Sequence, residues 1–362
     1  MKRRWLAPFT PIYAAALALR NRRIENGSES TRRLRFPVIS VGNLSTGGSG
    51  KTPLTIALAQ MLTARGLRID VLSRGYGRKS KHAARVRPDG SAEDFGDEPL
   101  LIARETGLPV YVAARRYDAG LLAEGEQSFA DKGSGRVGQE LEYRDFSPGI
   151  PLPQSTGALA PEVRVHLLDD GFQHRQLHRD VDVLLLNRRD WQDTLLPAGN
   201  LREPLAAIRR ASVIAIPVDE PKLEDDLRSF GWQGPIWRLR RTMEVPAVDG
   251  PVVAFCGIAR PEQFSAGLEA AGLKLALRRT FTDHHRYTAR DLDRLIAAAR
   301  AAGATAILTT EKDQVRLGSL ASNFPATMPL KTTHLRIEIE DEAAAIDWLI
   351  DQISHSSATR TP

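Results

Sequence analysis

The residues with the clearest chemical content are Ser45, Thr46, Gly47, Gly48, Ser49, Gly50, Lys51 and Thr52. Closely spaced glycines let consecutive backbone N–H groups turn toward one anion. The lysine adds a cation for phosphate oxygens, and the hydroxyl after it can reach Mg²⁺. This is the pattern of a Walker A loop, with Ser45 where the first glycine ordinarily stands. P-loop switches can carry a lysine one residue before the paired glycines; Thr46 holds that place here, which argues against a switch. Further along, Asp169 and Asp170 follow the apolar run 163–168 (VRVHLL), where a carboxylate at a strand end can serve Mg²⁺. Asp-Asp-Gly is also an ordinary turn. Gln173 and His174 come directly after, and His174 with His178 lacks the third ligand that a zinc site needs. Asp97, in Gly96-Asp97-Glu98-Pro99, reads by itself as the cap of a helix over 100–105. In the run 281–287 (FTDHHRY), adjacent histidines make a poor chelate. One of them facing a distant aspartate would suit a proton-accepting pair.

Positioning these groups requires a scaffold, and the apolar runs supply one. Residues 35–41 predict a strand before the glycine-rich loop, and 53–64 a helix after it. Further strands are expected at 67–73, 108–112, 163–168, 181–186 and 212–216. Short β-branched runs alternating with helical stretches imply βαβ units and a mainly parallel sheet. A second unit opens near 251, with strands at 252–256 and 306–310 and helices at 261–271 and 291–302. The runs 235–241 and 333–339 both alternate and are expected to pair as a two-stranded connector, followed by a terminal helix at 343–353. Gly, Ser, Pro and Gln dominate 124–162, which reads as a flexible insertion. The expected organisation is an N-terminal helix over 1–25, a P-loop domain over 26–234, a linker strand over 235–250, a smaller α/β domain over 251–330, and a return strand with helix over 331–362.

Composition narrows the partners. The 362 residues carry 50 Lys+Arg against 44 Asp+Glu, a net charge of +6 that favours anionic ligands. Dispersed basic residues and 6% aromatics, with no stacking pattern, argue against nucleic acid. Cys256 is the sole cysteine, which excludes an internal disulfide and fits a reducing compartment. Residues 5–19 carry no charge, with Lys2, Arg3 and Arg4 before and Arg20, Arg22 and Arg23 after. That stretch is shorter than the ~20 residues of a spanning helix. It predicts a helix lying in a membrane surface, with an N-terminal helix packed on the protein's own core as the alternative.

Taken in order, SVGNLSTGGSGKTP, SRGYGR, GDEP, LLDDGFQHRQLHRDVDVLLL, PAGNLREP, FCGIARPEQF, FTDHHRYT and ILTTEKDQVRL resemble the tetraacyldisaccharide 4'-kinase family of lipid A biosynthesis. The resemblance runs from about Arg3 to about Arg316, interrupted by 124–162. It implies a P-loop kinase domain joined to a smaller α/β domain by a two-stranded linker. The implied reaction is ATP- and Mg²⁺-dependent phosphorylation of tetraacyldisaccharide 1-phosphate at its 4'-hydroxyl, giving lipid IVA. The implied place is the cytoplasmic face of the bacterial inner membrane, as a peripheral protein. Carried onto this chain, the loop Ser45 to Thr52 holds ATP, and Thr52, Asp169 and Asp170 serve Mg²⁺. Asp97 accepts the hydroxyl proton with His284 orienting it or raising its basicity, and His284 rather than His285 is chosen because it follows Asp283. Arg74, Tyr76, Arg115, Arg116, Gln173 and His174 face the disaccharide or its phosphate. A P-loop kinase of a soluble sugar and a non-catalytic nucleotide-dependent switch are the competing readings.

Overall fold

The computed structural model describes residues 4–28, 30–131 and 163–358. In chain order the strands are β1 (Val38–Asn43), β2 (Arg68–Ser73), β3 (Ala84–Arg85), β4 (Val110–Val112), β5 (Arg164–Asp169), β6 (Val181–Leu185), β7 (Val213–Pro217), β8 (Ile236–Glu244), β9 (Val252–Cys256), β10 (Leu275–Thr280), β11 (Ala306–Thr310) and β12 (Leu330–Ile339). The helices are α1 (Thr10–Glu25), α2 (Lys51–Ala64), α3 (Ala92–Phe95), α4 (Asp97–Thr106), α5 (Arg116–Asp131), α6 (Arg188–Trp191), α7 (Pro221–Ser229), α8 (Pro261–Ala270), α9 (Ala289–Ala301), α10 (Glu311–Leu317) and α11 (Glu342–Ala358). Among the described residues the strands make one sheet in the order β10-β9-β11-β12-β8-β7-β6-β1-β5-β2-β4-β3.

Parallel pairing dominates, as βαβ alternation requires. β1 lies between β5 and β6, with Val41 opposite Asp169 and Ile39 opposite Val181. Both faces of this part are covered, so β1 is buried at every position, its polar Ser40 and Asn43 included. One face packs Ile39, Val41 and Val183 against Leu54, Leu58 and Leu62 of α2, Leu100 of α4 and Leu349 of α11. The other packs Leu184 and Ile214 against Leu223 and Leu227 of α7. The carboxyl ends of β1, β2 and β5 bring Asn43, Ser73 and Asp169 to one edge, where open α/β sheets bind ligands.

β8 and β12 pair antiparallel, with Ile339 opposite Leu239 and Leu335 opposite Met243. β8 also pairs parallel with β7, and β12 with β11, so the two strands carry the sheet from one half into the other. Beyond them, α8 covers one face through Phe264 and Leu268, and α9 the other through Leu292 and Leu295. α9 begins at Thr288, whose hydroxyl and the Asp291 carboxylate form a reciprocal capping box.

The structure departs from the sequence reading at β10 and α5, and it decides between the two readings of the N-terminal helix. β10 was not expected: it is the edge strand, largely exposed, and its two arginines blur the alternation. α5 continues to Asp131, so the expected insertion does not begin at 124. Glu124 instead accepts the backbone N–H groups of Arg35 (2.7 Å) and Phe36 (3.2 Å), fixing the entry to β1. The stretch 132–162 lies outside the described residues. At the N-terminus, a 3₁₀ turn (Arg4–Phe9) leads into α1, none of whose residues is buried. Trp5, Phe9, Ile12 and Leu19 are exposed, so the alternative of a core-packed helix does not hold. α1 is held by polar contacts: Tyr13 Oη donates to the Arg202 carbonyl (2.8 Å) and Arg20 to the Gln173 carbonyl (3.0 Å). Among the described residues no helix is long and apolar enough to cross a membrane.

Gly42 in β1 tests the close approach behind the site. A Cβ there would stand 2.5 Å from Phe172 Cβ and 2.9 Å from its backbone nitrogen. Gly42→Ala is expected to cost about 1–3 kcal/mol as overpacking, read as a lowered thermal midpoint. Gly125→Ala, on α5 with nothing within 4 Å, is expected to be neutral or slightly stabilising.

Candidate active site

The glycine-rich loop leaves β1 and enters α2 through Gly50, whose φ of 93° suits glycine. Gly47 also has positive φ (95°), and a Cβ on it or on Gly48 would meet Ala259, in the loop after β9. Ser45, in place of the first glycine, is buried and accepts from Asn43 Nδ2 at 3.0 Å. The Thr46 amide donates to the Asn200 carbonyl at 2.8 Å. Lys51 Nζ donates to Asn43 Oδ1 at 3.0 Å and lies 3.6 Å from Asp170. The buried Ser49 Oγ has no hydrogen-bond partner among the described residues, and buried polar atoms seldom stay so without a ligand or water.

Asp169 and Asp170 end β5 with different surroundings. Asp169 is fully buried and, among the described residues, accepts only the hydroxyls of Thr55 (3.3 Å) and Ser73 (3.4 Å). Burial, then the charges of Glu98 and Asp170, push its carboxyl up to about 7. Asp170 takes both arms of Arg202, at 2.8 and 3.0 Å. Burial disfavours its charge, but Lys51 and Arg202 outweigh it and hold the carboxyl well below the usual range. Its φ of 51° is one of two positive values among the described non-glycine residues; the other is His284, at 58°. Both strained positions lie in this site. Thr52 stands one turn before Thr55 on α2, so a hydroxyl and a carboxylate short of cationic partners share this corner. Such hard oxygen donors are the kind Mg²⁺ takes.

Asp97 does not act as the cap of α4. Gly96 occupies that position, and Asp97 Oδ1 accepts only the amide of Glu98 (3.0 Å). Its Oδ2 lies 3.0 Å from His284 Nδ1, a contact spanning 187 residues of sequence. The His284 amide, anchored on the Gly257 carbonyl (3.2 Å) and Asp283 Oδ1 (3.0 Å), sets that ring. His285 turns the other way, stacking on Phe281 at 4.6 Å and bonding Asp291. The expected pair, Asp97 with His284, therefore meets. Burial opposes ionisation of Asp97, but His284, Arg316 and Lys312 hold its carboxyl far below the ordinary range. The hydrogen bond to Asp97 raises His284 in turn.

The remaining expected residues divide. Tyr76 is exposed, with its ring 5.4 Å from that of His284. Arg116 is buried and donates to the Asp170 carbonyl at 3.3 Å, leaving its Nε unpartnered. Gln173 donates to the Asn43 carbonyl (2.8 Å), with Oε1 buried and unpartnered. Arg115 and His174 line a separate hollow with Arg32, Tyr117 and Gln176. Burial, then Arg116, lowers His174 to about 4, and Arg74 adds to the same positive field. Sequence reasoning assigned no role to Asn43, Arg202, Lys312 or Arg316, although all four sit inside the quoted motifs. Lys312 and Arg316 stand one helical turn apart on α10, and that spacing was the signal available.

Comparison with known proteins follows this geometry. The chain matches the family described as Tetraacyldisaccharide-1-P 4'-kinase over residues 2–354. A tetraacyldisaccharide 4'-kinase of Koribacter versatilis is 38% identical over 354 residues, covering 95% of this chain and 97% of the relative. One from Aquifex aeolicus is 35% identical over 348 residues, covering 91% and 95%. The crystal structure of LpxK from Aquifex aeolicus in complex with ATP superposes with a TM-score of 0.70 at 32% identity, covering 98% of this chain and 100% of that one.

The two histidines separate structure from chemistry. His285→Ala removes a ring wedged between Phe281 and Tyr287 and is expected to destabilise by about 1–3 kcal/mol in thermal unfolding. His284→Ala, at a half-exposed position, is expected to change the midpoint by less than about 1 kcal/mol.

Proposed function

The chain belongs to the tetraacyldisaccharide-1-P 4'-kinase family, and from that premise we propose that it moves the γ-phosphate of ATP to the 4'-hydroxyl of tetraacyldisaccharide 1-phosphate, giving lipid IVA. Family membership makes it a kinase of lipid A biosynthesis. The observation that carries the chemical reading is the contact of Asp97 with His284, made between distant parts of the chain, with Glu98 beside it in the field of both Asp97 and Lys51.

In this reading the sugar oxygen bonds to the γ-phosphorus, the bond to the β-phosphate oxygen breaks, and ADP leaves with that electron pair. Asp97 takes the hydroxyl proton, and His284 holds the carboxylate toward the acceptor. Backbone N–H groups of Gly47 through Gly50 and the ammonium of Lys51 neutralise phosphate charge, the main task in a loose phosphoryl-transfer transition state. Thr52 and Asp169 are the residues that would hold Mg²⁺, which would supply further charge neutralisation at the phosphates; Asp170 stays with Lys51 and Arg202. Arg74, Tyr76, Arg115, Arg116, Gln173 and His174 are read as the surface for the disaccharide and its phosphate.

The reading treats 251–330 as a smaller α/β unit that closes on the phosphate-loop unit 26–234 through the linker strands β8 and β12. It also explains the exposed Trp5, Phe9, Ile12 and Leu19. A four-chain lipid stays in its bilayer, so the enzyme must reach it there, and an apolar helix face with basic flanks gives surface binding on the cytoplasmic side of the inner membrane.

Phosphate transfer from γ-labelled ATP to tetraacyldisaccharide 1-phosphate in mixed micelles tests the reaction. Lys51→Ala and Asp97→Ala are each expected to lower kcat by at least about 100-fold, with ATP binding kept in Asp97→Ala. A wild-type protein that binds ATP and labels no lipid overturns the substrate, and full activity in Asp97→Ala overturns the base. Glutamate at Trp5, Phe9 and Ile12 together is expected to abolish co-sedimentation with anionic vesicles while the thermal midpoint stays unchanged.

A further inference from the structure

We infer that Arg316 is a positioning residue for the proposed transfer: it fixes Asp97 from the opposite side of the cleft, so that the base is ready only when α10 is docked on α4. The inference rests on the proposed function, in which Asp97 accepts the hydroxyl proton.

Arg316 is a side chain from α10 that is almost wholly buried, at 5% exposure. Burying a guanidinium this deeply is costly unless its donors are used, and here they are. Nε donates to Asp97 Oδ2 at 2.7 Å, with Nη2 2.5 Å from the same oxygen. Nη1 donates to the Gly257 carbonyl and to Asp313 Oδ1, the latter at 3.1 Å. Asp313 in turn accepts the Gly257 amide (3.0 Å) and the Tyr287 hydroxyl (2.9 Å). The guanidinium is therefore braced on the loop after β9 and aimed at the base. The Gly257 carbonyl that it meets also accepts the His284 amide, so one carbonyl sets both partners of Asp97.

The oxygens of Asp97 are used unequally. Oδ2 is occupied by His284 and Arg316, whereas among the described residues Oδ1 receives only the Glu98 amide. That leaves acceptor capacity on Oδ1 for a hydroxyl. Around the carboxylate stand His284 from the loop before α9, Arg316 and Lys312 from α10, and Glu98 from α4 itself; Asp283 lies 3.8 Å from Arg316. Lys312, one turn before Arg316, donates to Glu98 Oε1 at 2.6 Å, a second rung between the same two helices.

A guanidinium beside a carboxylate favours the ionised form, so losing it raises the pH at which Asp97 takes up a proton. Activity carried by the carboxylate then fails earlier as pH falls. The experiment is a pH profile of kcat/KM for full-length wild type, Arg316→Met and Arg316→Lys, with γ-labelled ATP and tetraacyldisaccharide 1-phosphate in mixed micelles. Arg316→Met is expected to lose about 10–100-fold in kcat and to move the acidic limb upward into the ordinary carboxylate range. Arg316→Lys keeps the charge and is expected to leave the limb near its wild-type position, with kcat reduced because an ammonium lacks the fork that spans Asp97, Gly257 and Asp313. A fall in kcat with an unmoved limb in Arg316→Met, or unchanged activity, overturns the inference. If Arg316→Met does not fold, by thermal unfolding and ATP binding, Arg316→Gln carries the same test. Wild type that phosphorylates no lipid overturns the proposed reaction itself, whereas an active wild type with an unmoved limb in the variant removes Arg316 alone.

Discussion

Four carboxylates gather at one corner of this molecule, and the need to balance them organises the rest of the site. Asp97 and Glu98 open α4, while Asp169 and Asp170 close β5; an unpaired buried charge is too costly to keep. Lys51 and Arg202 answer Asp170 from the side of the glycine-rich loop. Lys312 and Arg316 answer Glu98 and Asp97 from α10, beyond β8 and β12. Among the described residues Asp169 is the member without a salt bridge, and burial and its acidic neighbours push it up while Asp170 is held down. The proposed reaction brings a metal ion to buried Asp169, the one of the four carboxylates with no ion pair among the described residues.

The same logic extends to the junction of the two halves. Glu105 at the end of α4, Glu311 at the start of α10 and His334 on β12 come together, with Arg336 donating to Glu105 at 2.9 Å. Glu105 and Glu311 raise His334 to about 9, so it is charged at neutral pH and the cluster neutralises itself. α4 and α10 are consequently pinned at both ends: by Arg316 and Lys312 beside the chemistry, and by His334 and Arg336 beside the linker. These ties cross from one half of the chain to the other, so they are the contacts that the proposed closure of one half upon the other would complete.

Much of this was readable in the sequence because local rules and tertiary demands agree. The run into Asn43 had to be a strand and the run after Lys51 a helix, since the loop between them works only in that setting. Asp97 was harder. Local rules favour an N-cap, and only the family resemblance pointed across the chain to His284; the structure gives the cap position to Gly96 and leaves Asp97 for His284 and Arg316. β10 escaped because an exposed edge strand need not alternate cleanly. Lys312 and Arg316 escaped because a lysine and an arginine one turn apart look like any solvated helix face until a partner is known. Glu124 was read into an insertion on composition alone, yet two backbone donors at the entry to β1 depend on it.

The N-terminal helix gains meaning from what its polar side touches. Tyr13 donates to the carbonyl of Arg202, the residue whose guanidinium holds Asp170. Arg20 donates to the carbonyl of Gln173, whose side chain donates to the Asn43 carbonyl. Asn43 Oδ1 in turn accepts from both Lys51 and Arg202. A short hydrogen-bonded path therefore runs from the helix that exposes Trp5 and Phe9 to the lysine of the glycine-rich loop. A helix serving only as a tether would need no such path. Its contacts place the surface proposed to face lipid and the groups proposed to handle phosphate in one fixed relation, which is what a kinase must have if its acceptor hydroxyl stands at the edge of a bilayer and its donor arrives from water.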